Sequence, residues 1–130
     1  MTIKELYAIA DRDGIYVEHQ LIGITPALSV KIGADCAICL DPSLAKTEAE
    51  YKEVLAHELG HCETLAFYNQ YSPLETKARQ EHKALVWEIK KLLPEEEIKK
   101  AARTMQRWEI AEYFGVPEWL VVKAMEYYKK

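Results

Sequence analysis

Two histidines four residues apart, His57 and His61, constrain this chain more than any other feature. They stand in a stretch that Thr47 and Glu50 open as a capping box, and the spacing predicts a helix from Thr47 to about Tyr68. On a helix, positions i and i+4 lie one turn apart on the same face, so both imidazoles can bind one zinc ion. Such an ion needs at least one more protein ligand and an open position for water. The fold must therefore press another element against the histidine face. Glu58, inside the same H-E-x-x-H run, can reach that water without ligating the metal.

The extended motif H-E-x-x-H-x-x-G-x-x-H is excluded, because Thr64 and Phe67 occupy its glycine and third-histidine positions. The next helix supplies an alternative. Ser72, Pro73 and Glu75 combine an N-cap, a first-turn proline and a box glutamate, opening a helix to about Leu93. Its apolar stripe runs Leu74, Ala78, Leu85, Ile89, Leu92, and Glu81 continues that stripe where an apolar residue is expected. An inward carboxylate costs several kcal/mol unless it is paired or metal-bound. The candidate set is His57, His61 and Glu81, with a salt bridge from Glu81 to Arg79 or Arg103 as the competing explanation. Glu88 borders the stripe and is a weaker candidate ligand. His82, Tyr68 and Tyr71 are candidates for supporting the ligands or a transition state.

The remaining pattern is that of an α+β chain, mostly helical, with a small sheet near the N-terminus. Thr2 and Glu5 box the start of a first helix that Gly14 closes. Ile15 to Val17, Ser29 to Ile32 and Cys36 to Leu40 read as strands, the last two joined by a turn at Gly33-Ala34-Asp35. The strand Cys36 to Leu40, just before the histidine helix, is expected to be an edge strand. Helices follow from Pro94, from Trp108 to Phe114, and from Pro117 to Tyr128. The expected organisation is one domain over residues 1–130, with a zinc-binding core at 1–93 and a C-terminal helical lobe at 94–130. Cys36 and Cys39 point to opposite faces of a strand, so they cannot share a metal, and all three cysteines are expected to be reduced thiols.

Several residue runs resemble the ImmA/IrrE-type metallopeptidases, compact gluzincin-like zinc enzymes of bacteria, phages and integrative elements. They are Ala37 to Asp41, Glu53 to His61, Arg79 to Ala84, and the tail from Leu92 to Pro117. The resemblance implies a zincin-like fold and zinc held by His57, His61 and the glutamate of an E-x-x-A segment, here Glu81 with Ala84. It implies cleaving, or aiding cleavage of, a transcriptional repressor, so releasing genes of a phage or mobile element or of a stress response. Where many members carry Asn or Asp after that alanine, this chain has Leu85.

Two other classes of function compete. Glu109 to Tyr128 has the outline of a helix-turn-helix, but Lys123, Lys129 and Lys130 are offset by Glu118 and Glu126, and the second helix lacks Arg, Asn and Gln. With a net charge of −4, direct DNA binding is disfavoured. A zinc-stabilised protein that sequesters a repressor without cutting it is the other alternative. The N-terminus lacks the apolar run of a signal peptide, and no stretch approaches a membrane span, so a cytoplasmic protein is expected.

Overall fold

The computed structural model describes residues 1–129; Lys130, one of the lysines weighed above for DNA binding, lies outside them. Helix α1 (Ile3–Arg12) starts at the expected capping box, with Thr2 and Glu5 bonding reciprocally. Strands β1 (Tyr16–His19), β2 (Ala27–Ile32) and β3 (Asp35–Leu40) follow. Helices α2 (Glu48–Thr64), α3 (Leu74–Leu92), α4 (Glu95–Ala102), α5 (Arg107–Phe114) and α6 (Glu118–Lys129) complete the α+β fold.

The hairpin of β2 and β3 turns on Gly33, whose φ of 61° suits a residue without a side chain. β1 pairs parallel with the other side of β3, giving the order β1-β3-β2. β3 is therefore the central strand, and the expectation that Cys36 to Leu40 forms an edge is wrong. Both of its backbone sides are taken, and the open edge near α2 belongs to β2.

Period-two alternation buries Cys36, Ile38 and Leu40 against the helices and leaves Ala37 and Cys39 half-buried on the other face. Cys36 meets Cys62 on the buried side of α2 and forms a disulfide, with the Cα atoms 5.8 Å apart. The expectation of three free thiols is corrected; Cys39 alone is free.

α2 stops earlier than its pattern predicts. Leu65 adopts the left-handed conformation at φ 55°, and the N–H of Ala66 donates to the carbonyl of His61. Residues 65–73 thus leave the helix and cross towards α3. Pro73, not Ser72, caps α3, and the Ser72 hydroxyl accepts from the N–H of Asn69 instead.

Leu55 and Leu59 of α2, Ile89 and Leu92 of α3, and Leu6 of α1 form the core with the inner face of β3. The C-terminal helices join it through Leu120, Val121 and Ala124 of α6. Two polar contacts tie them further: Lys52 Nζ donates to the carbonyl of Phe114 at 2.5 Å, and the Tyr128 hydroxyl to that of Leu93 at 2.7 Å. Among the described residues no helix is long and apolar enough to cross a membrane.

Candidate metal centre and active site

His57 and His61 project from α2 towards α3 with their rings near perpendicular, centroids 4.9 Å apart. Glu81 of α3 reaches both. Its Oε1 lies 2.8 Å from His57 Nε2 and its Oε2 lies 2.9 Å from His61 Nε2. The three side chains thus offer donor atoms within 4.8 Å of one another. Glu81 pairs with neither Arg79, whose ion-pair partner is Glu75, nor Arg103.

The outward nitrogens of both rings are held as well. His57 Nδ1 lies 2.8 Å from Glu88 Oε1, and His61 Nδ1 bonds the carbonyl of Ala66 at 2.5 Å. A ring that donates from Nδ1 presents a lone pair at Nε2, the tautomer a metal ligand requires. Two such lone pairs and a carboxylate converge on one point, so the residues fit a divalent cation. In the metal-free chain, protons take that place. Hydrogen bonds from His57 and His61 hold the Glu81 carboxyl well below its usual range. Burial opposes protonation of His57, but its hydrogen bonds to Glu81 and Glu88 prevail and raise it to about 10.

Glu88 does not border the apolar stripe, as the periodicity suggests; it is fully buried beneath His57. Glu53 of α2 lies beside it, with one oxygen of each and a His57 nitrogen within 4.8 Å. Burial and the neighbouring Glu88 push Glu53 up to about 9, so it is a neutral acid at pH 7 and can share its proton with Glu88. Sequence reasoning weighed Glu88 only as a substitute ligand and missed Glu53 beside it. The available signal was helical spacing: Glu53 precedes His57 by one turn, and Glu88 follows Glu81 by two.

Glu58 is 8% exposed, and burial raises its carboxyl against the pull of His61 and His57. It borders two cavities, of about 520 and 340 Å³, that flank the centre along β2. The loop before β2 is anchored by Asp41, whose buried carboxylate accepts from the N–H groups of Ile22 and Gly23. That anchor brings Thr25 into the wall of both cavities. The Tyr68 hydroxyl donates to Glu81 Oε2 at 2.8 Å. His82 is exposed at the wall of the larger cavity. Tyr71 is 86% exposed and lines neither cavity.

A family model described as the IrrE N-terminal-like domain, a peptidase family, matches residues 37–126. The chain belongs to this metallopeptidase family. The match takes in both histidines, Glu58, Glu81 and Glu88, and it agrees with the family resemblance noted from the sequence. β2 and the Thr25 loop, which wall the cavities, precede the matched segment. No curated protein and no solved structure gives a significant match to the chain.

Proposed function

We propose that the protein is a zinc-dependent endopeptidase in which His57, His61 and Glu81 hold the ion and Glu58 is the general base. One observation carries this reading: Glu81 bridges the two Nε2 atoms while both Nδ1 atoms are engaged elsewhere. Nitrogen and carboxylate donors in this number suit zinc in a catalytic site.

Zinc bound there would polarise the scissile carbonyl and bring the pKa of water towards ~7. The residues of the chain do the rest. Glu58 takes a proton from the attacking water and returns it to the leaving amine, a task favoured by its raised pKa. The open edge of β2 receives the substrate as an added strand, so main-chain hydrogen bonds set the scissile bond opposite Glu58. Tyr68, already beside Glu81, is the donor placed to stabilise the developing oxyanion. The substrate we propose is a transcriptional repressor of a phage or mobile element, met in the cytoplasm, as the resemblance of the sequence motifs to ImmA/IrrE-type metallopeptidases implies.

The test uses zinc-loaded protein and unfolded casein, with cleavage followed by mass spectrometry. At equal zinc content Glu58→Gln is expected to cut at least 10²-fold more slowly. Undiminished cleavage by that variant contradicts the mechanism. Zinc binding without cleavage by the wild type points to the sequestering alternative.

A further inference from the structure

The larger cavity beside the centre is walled by four separate parts of the fold. Val54 comes from α2, Leu85 from α3, Pro26 from the loop before β2, and Trp119 from the start of α6. Trp119 is 48% exposed, unlike its neighbours Leu120 and Val121, which are buried in the core. A helix of the C-terminal lobe therefore places an indole at the mouth of the site. The carboxyls of Glu53 and Glu88 lie at this cavity too, but they are engaged with each other and with His57. The surface left for a ligand is mostly apolar, with Thr25 and the exposed His82 as polar groups at its wall.

The sheet gives the cavity a direction. β2 runs from Ala27 to Ile32; the larger cavity touches Thr25 to Ala27, and the smaller one extends along Leu28 and Ser29. A peptide added antiparallel to β2, the more stable pairing per residue, runs from the Ser29 end towards Thr25. The residue that follows the cut bond then falls at the larger cavity.

We propose that this cavity binds the side chain immediately after the scissile bond, selects a large apolar residue there, and owes that selectivity to Trp119. The inference rests on the peptidase reading above. It also gives the C-terminal lobe a role in substrate choice.

The test measures binding, not turnover. Two succinyl hydroxamates chelate the metal and differ only in the side chain that follows the chelating group, isobutyl in one and carboxymethyl in the other. Calorimetry with the zinc-loaded full chain is expected to show the isobutyl compound binding at least tenfold more tightly. Trp119→Ala, with zinc content and unfolding midpoint checked, should reduce that ratio to about threefold or less, while Trp119→Phe keeps most of it. Equal binding of the two compounds by the wild type, or a ratio unchanged in Trp119→Ala, overturns the inference and leaves the metal centre standing. If neither compound binds, the peptidase reading fails and the inference falls with it.

Discussion

A β-carbon on Gly60 would lie 2.6 Å from the carbonyl oxygen of Ala84. α2 and α3 therefore touch backbone to backbone beside His61, and Ala84 stands one turn beyond Glu81. This contact sets the distance at which a carboxylate on one helix can span two imidazoles on the other. The small residues of both motifs thus serve the charged ones.

Gly60→Ala should push the helices apart and cost about 1–3 kcal/mol, the usual range for overpacking. Metal affinity should fall along with stability, because Glu81 moves away from His57 and His61. Urea unfolding and zinc titration of the variant check both effects. Unchanged affinity would mean that the helix spacing does not position Glu81.

Glu88→Gln removes the charge behind His57 while keeping an oxygen to accept its Nδ1 proton. Affinity for zinc should drop about 10–100-fold, as for other partners of metal-bound histidines. Competition with a chromogenic chelator measures this directly. If affinity is retained, the buried carboxylate serves packing and not the ligand.

The helices and the cluster of His57, His61 and Glu81 were legible because their signals are local. Capping boxes, proline starts and the i, i+4 histidines each sit within a few residues, and Glu81 interrupts an otherwise apolar stripe. What was hidden depends on distant partners. β3 became central only because β1 returns to its far side. Cys36 and Cys62, 26 residues apart, pair because a strand face meets a helix face. Glu88 looked marginal on its own helix, and its burial comes from α2 above it.

The metal-free protein should lose stability as pH rises from about 6 to 9. His57 keeps its proton to about 10, against an unfolded value of 6.5, and Glu53 keeps its own to about 9, against 4.5. The folded chain therefore holds more protons across this window, and stability declines with pH by roughly 1 kcal/mol per unit or more. Zinc requires deprotonated histidines, so its stabilising effect should grow over the same range. Unfolding curves at several pH values, with chelator and with zinc, should show these opposite slopes.

Reduction of the Cys36–Cys62 bond, or Cys36→Ser, should lower stability by about 3 kcal/mol, from the loop entropy the cross-link removes. The bond ties the end of α2, next to His61, to the central strand. Urea midpoints with and without reductant check this. A difference under ~0.5 kcal/mol would show that core packing alone holds that junction.

The most direct test of the account is zinc per chain, measured by mass spectrometry of metals in protein purified without added metal, beside Glu81→Ala. Close to one zinc is expected in the wild type and far less in the variant. A wild type that carries no zinc and takes up none on reconstitution would contradict it, and so would full occupancy in Glu81→Ala.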